Sequence, residues 1–137
     1  KGRLKLAAPV QKYIHCTGDR RVFVTSLDNA TVQIYPISIW ESNECLFENF
    51  LEDPEGAEIV AFTAHDNGAD CELDDQGRLL IHQKLRHKLG MEGEPVWLHC
   101  YKGVIHVYGK EIYEARKRQA EEKLAEKLRV LKGAGLR

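Results

Sequence analysis

The chain has 137 residues, with 20 Lys or Arg, 21 Asp or Glu and an apolar fraction of 43%, enough for one compact unit or for two small units that share a core. It contains no run of 18 apolar residues, which excludes a membrane-spanning helix. The cysteines show no Cys-x-x-Cys pair and no regular framework, so we predict buried free thiols in a reducing cytoplasm rather than metal ligands; they are Cys16, Cys45, Cys71 and Cys100.

Charge is distributed unevenly along the chain. Residues 41–75 contain twelve acids and no Lys or Arg, whereas the rest of the chain holds all 20 basic residues and nine acids, a balance of +11. Two basic segments therefore flank an acidic one. A near-neutral total does not exclude phosphate binding, because binding depends on the local potential of one face.

The tripeptide Gly-Arg-Leu occurs twice, at residues 2–4 and 77–79. After each copy come a short helical stretch, an aliphatic run, a second apolar run and an aromatic-Glu pair, in the same order. The offset between the copies is 75 at the glycines, 74 at the first run and 73 at the second. This order predicts a tandem duplication of one small module. Because the chain begins at Lys1, directly before the first copy, we expect the natural N-terminus to lie further upstream.

In the first copy, Pro9 starts an amphipathic turn that ends near Ile14. Two apolar runs then predict a β-hairpin with a three-residue loop near residues 28–30, and alternation places four residues inside: Val22, Val24, Val32 and Ile34. Pro36 is well placed to start a helix, which ends before Asp53-Pro54. The imperfect apolar stripe of this helix consists of Ile39, Trp40, Phe47, Phe50 and Leu51.

In the second copy, residues 83–89 are predicted to be helical and Gly90 closes the helix. A two-residue turn at Lys102-Gly103 sets a hairpin register that pairs Tyr101 with Val104. The predicted core face is Val96, Leu98, Cys100, Ile105 and Val107, and the opposite face is Trp97, His99, Tyr101, His106 and Tyr108.

A longer helix is predicted from Lys110 to Gly133. Its apolar stripe is Ile112, Ala120, Leu124, Leu128 and Leu131. We expect this helix to fold back on the core, and the alternative is contact with a neighbouring subunit.

The predicted fold class is α+β, with hairpins and helices. Neither hairpin can bury a face alone, so the two copies should pack about a pseudo-twofold and share a β-barrel-like core with flanking helices. The predicted divisions are a first module at 1–41, an acidic helical connector at 42–73, a second module at 74–114 and a C-terminal helix at 115–137. The connector either faces basic patches of a neighbouring subunit or keeps the surface soluble.

The two arginines, Arg3 and Arg78, each follow a glycine at the start of a predicted strand. Gly2 and Gly77 permit tight turns with little bulk, and a guanidinium can grip a phosphate or a guanine edge with two hydrogen bonds. The alternative is that each arginine pairs internally, for instance Arg78 with Asp74. The two interpretations are compatible, since an acid four residues back can hold the loop while the guanidinium faces outward.

At these residues the chain resembles the MraZ family. Residues 74–81, Asp-Asp-Gln-Gly-Arg-Leu-Leu-Ile, are similar to its Asp-x-x-x-Arg signature, and residues 1–4 look like the second copy of it. The resemblance also includes residues 23–28, 34–36 and 40–41, and it extends to about Glu114.

The resemblance implies a bacterial transcriptional regulator of the division and cell-wall gene cluster, cytoplasmic and nucleoid-associated. It implies two AbrB-like domains and a ring-shaped homo-oligomer that binds repeated operator boxes on double-stranded DNA through the arginine loops. It carries over Arg3, Asp74 and Arg78 as signature positions, while loop geometry adds Lys1, Gly2 and Gly77. We expect no cofactor, no metal, no membrane and no small-molecule substrate.

Two other classes of function are compatible with parts of the sequence. An oligomeric assembly module without DNA binding would use the arginine loops as internal salt bridges. An enzyme could use His99, His106 and Tyr101, or His82 and His87, but no carboxylate or cysteine completes a zinc site at a known spacing, and no nucleophile turn or nucleotide-binding glycine motif occurs. The sequence therefore predicts a protein that is not an enzyme.

Overall fold

The computed structural model describes residues 3–6, 8–15 and 18–137. The strands in these ranges are β1 (Arg3–Lys5), β2 (Arg21–Thr25), β3 (Val32–Pro36), β4 (Ala69–Glu72), β5 (Arg78–Leu80), β6 (Trp97–Tyr101) and β7 (Val104–Tyr108). The helices are α1 (Ala8–His15), α2 (Ile37–Asn49), α3 (Pro54–Asn67), α4 (Gln83–Lys88) and α5 (Lys110–Gly133). Over the same ranges, no helix has the length and apolar character needed to cross a bilayer.

The strands form two antiparallel sheets. A five-stranded sheet has the order β4-β2-β3-β7-β6, and β1 pairs with β5 in a separate two-stranded ribbon. One face of the large sheet packs against the ribbon and against helices α1 and α4 to form the main core. Its fully buried side chains are Leu6, Ile14, Val22, Val32, Ile34, Leu79, Ile105 and Val107. The predicted α+β class is therefore confirmed, while the AbrB-like assignment of the two modules stays a prediction.

A second core lies on the other face of the sheet, under the pair of helices α2 and α3. Trp40 of α2 stacks on Phe23 of β2 with 4.4 Å between ring centroids. Helix α3 covers the same strand. The Thr25 hydroxyl of β2 donates a hydrogen bond to the Ala64 carbonyl of α3 at 2.7 Å. Asp53 begins α3 by accepting a hydrogen bond from the Gly56 amide, and Pro54 occupies the first turn, where its missing N–H costs nothing.

The register of both sheets is symmetric with respect to the sequence repeat. Leu4 lies opposite Leu79 at the centre of the β1–β5 ribbon, and Gln33 lies opposite His106 at the centre of the β3–β7 pair. Each pair consists of equivalent residues of the two copies, at offsets of 75 and 73. Both strand pairs therefore have the register that a pseudo-twofold between the copies requires, and the pseudo-twofold itself stays a prediction.

A pair of aromatic contacts repeats in the same way. Tyr113 of α5 stacks on Trp97 of β6 at 4.5 Å, and these residues are the repeat equivalents of Trp40 and Phe23. The first helix after each hairpin therefore packs on its own hairpin through one large ring stack.

The hairpin of the second copy has the predicted register, with Tyr101 opposite Val104 and His99 opposite His106. Lys102 and Gly103 both have positive φ, 50° and 82°, as a two-residue turn between right-twisted strands requires. The loop of the first hairpin is longer than predicted. It spans residues 26–31, and the Asp28 carboxylate holds it by accepting hydrogen bonds from Ala30 and Thr31.

Three packing predictions are wrong. Cys100 is exposed although it was assigned to the core face, and Cys45 is exposed as well, because β6 is an edge strand and Cys45 lies on the outer side of α2. Leu51 is 86% exposed because helix α2 ends before it, at Asn49. Helix α5 has the predicted bounds, but it does not fold back along its whole length: Tyr113 near its start stacks on Trp97, and none of its residues is buried.

Candidate nucleic-acid interface

The turn between β4 and β5 is organised by one carboxylate. Asp74 Oδ1 accepts hydrogen bonds from the Gln76 amide at 2.9 Å and the Arg78 amide at 2.8 Å. The Asp74 amide in turn donates to the Arg78 carbonyl at 3.0 Å. A short side chain that accepts hydrogen bonds from the amides two and four residues ahead satisfies backbone N–H groups that have no backbone partner in a tight turn. The aspartate of the signature therefore has a structural task in shaping the loop.

Gly77 is buried at the contact between the two sequence copies. Its φ of 72° is in the left-handed region, and a Cβ there would collide with the Gln11 side chain. The Gly77 carbonyl accepts from the Leu6 amide at 3.1 Å, and the Gln11 side chain donates to the Leu6 carbonyl. The glycine thus allows the loop of the second copy to approach the backbone of the first copy closely.

The Arg78 guanidinium pairs internally and also faces outward, which are the two interpretations that the sequence left open. Its Nε donates to Asp74 Oδ2 at 2.9 Å, so the internal ion pair exists, and the side chain is 35% exposed. Within the described part of the chain, its two terminal nitrogens have no hydrogen-bond partner. An arginine held through Nε presents its outer edge in a fixed orientation, which suits bidentate recognition of an anion.

The first copy contributes its arginine through the ribbon. Arg3 lies directly opposite Leu80, and Arg78 lies directly opposite Lys5. The two arginine positions are therefore offset by two residues across adjacent strands, roughly 7 Å along the strand direction. Lys1 and Gly2, the remaining predicted site residues, lie outside the described residues.

Arg20 also belongs to this site, although no pattern in the sequence predicts it. Its Nη1 contacts Asp75 Oδ1 at 3.1 Å and its Nη2 donates to the Asp74 carbonyl at 2.6 Å, across more than 50 residues of sequence. Its repeat equivalent at offset 74 is Glu94, so the duplication provides no signal for it. Arg20 therefore stabilises the loop through these two contacts and is not a candidate for ligand contact.

Helix α4 adds basic side chains immediately after the loop strand, and these too were missed. His82 caps the helix by accepting from the Lys84 amide through Nδ1 at 3.1 Å, and the Arg86 Nε donates to the Ile81 carbonyl. Lys84 and Lys88 are exposed. The run of basic residues in a helix that begins three residues after β5 is the sequence signal that could have predicted positive charge beside the loop.

The histidines that were considered for catalysis form a different surface. His99 and His106 face each other across β6 and β7 with 6.4 Å between ring centroids. Burial, followed by the nearby His99 and Arg116, lowers the pKa of His106. Among the side chains that the structure describes, no group of three or more His, Cys, Asp or Glu residues is arranged to hold a metal ion.

The Asp74 carboxylate should show a pH dependence that reports on the loop. Hydrogen bonds from the Arg78 amide, then from the Arg78 side chain and the Gln76 amide, lower the pKa of Asp74 below its ordinary value of 3.8 and outweigh its desolvation. A group whose pKa is lowered by folding stabilises the native loop above its unfolded pKa, and that contribution is lost as the pH falls through the folded pKa. We expect a carbon-detected NMR titration to place the Asp74 midpoint below 3.8.

The matched variant is Arg78→Ala, which removes the guanidinium bond but retains the amide at position 78. Its Asp74 midpoint should move only part of the way back toward the ordinary value. A wild-type midpoint at or above 3.8 would contradict the loop geometry.

Comparison with known proteins identifies the family. The profile of a family described as MraZ protein, putative antitoxin-like, matches residues 66–132. Transcriptional regulator MraZ of Acidobacterium capsulatum is 31% identical over 96 residues, which cover 70% of this chain and 66% of that protein, just under two thirds of its length. The proteins of the same name from Thermoanaerobacter pseudethanolicus and Desulfitobacterium hafniense are each 27% identical, and the second match covers 99% of this chain and 92% of the relative.

These relatives are all named as transcriptional regulators and none as an enzyme, which supports a role in transcription regulation. The order of the sequence landmarks, the profile match and the curated relatives agree, and this chain belongs to the MraZ family.

Proposed function

We propose that this protein is a sequence-specific regulator of transcription that binds double-stranded DNA through its two Gly-Arg-Leu segments. Arg3, Arg78 and Lys1 contact the DNA. Gly2 and Gly77 allow close approach of the backbone, and Asp74 orients the Arg78 guanidinium. The target is a set of repeated operator boxes in the bacterial division and cell-wall gene cluster, and the protein is cytoplasmic and nucleoid-associated.

The antiparallel pairing of β1 with β5 is the observation that carries this proposal. It places two copies of one motif side by side in a single ribbon, although 75 residues separate them in sequence. Leu79 on the inner side of the ribbon is buried, whereas Arg78 and Leu80 are accessible. A ribbon of this kind presents adjacent arginines to one stretch of DNA groove or backbone.

Affinity in this mechanism depends on the number of subunits. Each Lys or Arg that contacts a phosphate contributes roughly one unit to the slope of log K against log salt, so one subunit with two arginines binds weakly. A ring-shaped homo-oligomer engages several boxes at once, and each further contact forms at a high effective concentration. Oligomerisation is therefore part of the proposed binding mechanism.

Selection from a random-sequence duplex library with the intact protein tests this proposal. The enriched pool should contain one short box, present at least twice per molecule with constant spacing, because a ring selects repeated sites. Fluorescence anisotropy with that duplex should show affinity that falls steeply between about 50 and about 200 mM salt. A pool without an enriched box, or binding that does not respond to salt, would contradict the proposal.

The second candidate is an assembly module that does not bind DNA. It is favoured by the exposed apolar side chains of α5, such as Leu124 and Leu131. A large oligomer that leaves the selection pool unenriched would favour this alternative over the regulator.

A further inference from the structure

Helix α5 carries an apolar stripe that continues beyond the sheet. Near the start of the helix, Tyr113 stacks on Trp97. Ala120, Leu124 and Leu131 follow on the same face at spacings of seven, four and seven residues. Leu124 is 58% exposed and Leu131 is 55% exposed, so the second half of the stripe is solvent-accessible in the described chain.

The helical pair α2–α3 presents a second accessible apolar surface. Four large side chains of this pair and of the segment between the helices are more than half exposed: Leu46, Leu51, Ile59 and Phe62. Phe62, in the middle of α3, is 70% exposed. Several large exposed apolar side chains on one helical pair indicate a protein-interaction site.

The two surfaces have opposite charge. Residues 37–67, which comprise α2 and α3, contain eight acids and no Lys or Arg. Residues 123–132, the distal part of α5, contain four basic residues and one acid. Complementary potential around an apolar centre is typical of a specific protein interface.

The pseudo-twofold indicates where a partner helix is needed. In the first copy α3 covers β2, and the Thr25 side chain is fully buried under it. The repeat equivalent of Thr25 is His99 on β6, which is exposed, as is its neighbour Tyr101. The strand beside α5 thus lacks the second helix that its equivalent has, within the residues that the structure describes.

We propose that the distal half of α5 packs against the α2–α3 pair of a second copy of this chain. The contact is heterologous, because the two surfaces that meet are different, so successive copies join head to tail, which builds a ring when the rotation between copies closes. This inference rests on the ring in the proposed function and names the surfaces that build it. Pairing of α5 with another α5 is disfavoured, since it would bring two basic segments together.

Charge exchange between two variants of the full chain tests this contact. The first variant, Lys123→Glu/Lys127→Glu/Arg129→Glu, makes α5 acidic. The second variant, Glu41→Lys/Glu48→Lys/Glu52→Lys/Glu55→Lys/Glu58→Lys, makes the α2–α3 pair basic, because five Lys then face the three acids that remain in residues 37–67. All eight positions are exposed, so both variants should retain the fold, which circular dichroism can verify.

Multi-angle light scattering without DNA gives the mass of each species. The wild type should be a large oligomer, and each variant alone should fall to monomers because its two surfaces repel. An equimolar mixture should regain a large species, since each variant then offers the surface that complements the other. A monomeric wild type, a second variant that keeps the wild-type mass, or a mixture that stays monomeric would overturn the contact. Because no DNA is present, failure here leaves the result of the DNA selection unaffected.

Discussion

Replacing Arg3 and Arg78 together with Ala is expected to reduce DNA affinity by about 100-fold or more, while the protein stays folded and oligomeric. A bidentate arginine contact contributes about 1–3 kcal/mol, and every 1.4 kcal/mol is about tenfold in the dissociation constant. In a ring the loss of affinity at each box multiplies, because several boxes are bound at once. Fluorescence anisotropy with the selected duplex, together with light scattering on the same samples, measures both quantities.

The matched control for this variant is Arg137→Ala, which removes one positive charge from the exposed C-terminal residue. Its affinity should change by less than about twofold at physiological salt, since a remote exposed charge is largely screened. Arg78→Lys should be intermediate, because the charge remains but the planar fork is lost. If the double variant binds as tightly as the wild type, the arginine loops are structural ion pairs and the DNA contact lies elsewhere.

Replacing Ile105 with Ala is expected to destabilise the protein by about 2–5 kcal/mol, a large part of a typical unfolding free energy of about 5–15 kcal/mol. Ile105 is fully buried in β7 and lies opposite Ile34 of β3, at the seam where the two copies meet. The deletion leaves a cavity that neither copy can fill, because side chains of both line the same core. Urea unfolding at fixed protein concentration, followed by the fluorescence of Trp40 and Trp97, measures the loss.

Two further variants set the scale for this loss. Leu136→Ala removes a side chain that is about half exposed, and it should change the free energy of unfolding by less than about 0.5 kcal/mol. Ile105→Val should cost about 0.5–1.5 kcal/mol. Equal losses for Ile105→Ala and Leu136→Ala would mean that the β3–β7 seam is not the centre of the core.

Local features of the site could be predicted because their partners are close in sequence. The Asp74–Arg78 ion pair joins residues four apart, and the turn at Lys102-Gly103 requires only two residues with positive φ. The bounds of α5 follow from its apolar stripe and from Gly133, which are equally local. In each case one short segment contains all the atoms that decide the conformation.

The sequence by itself determined the hairpin of the second copy, the loop around Asp74 and the family, while the duplication stays a prediction. Only the tertiary structure decided that β1 pairs with β5, that β4 pairs with β2, and that Arg20 braces the loop. It also decided that α5 leaves its distal stripe exposed. The physical reason is chain separation: hydrogen bonds and salt bridges between residues about 50 or more positions apart depend on how whole elements pack, and no periodicity within one segment encodes that choice.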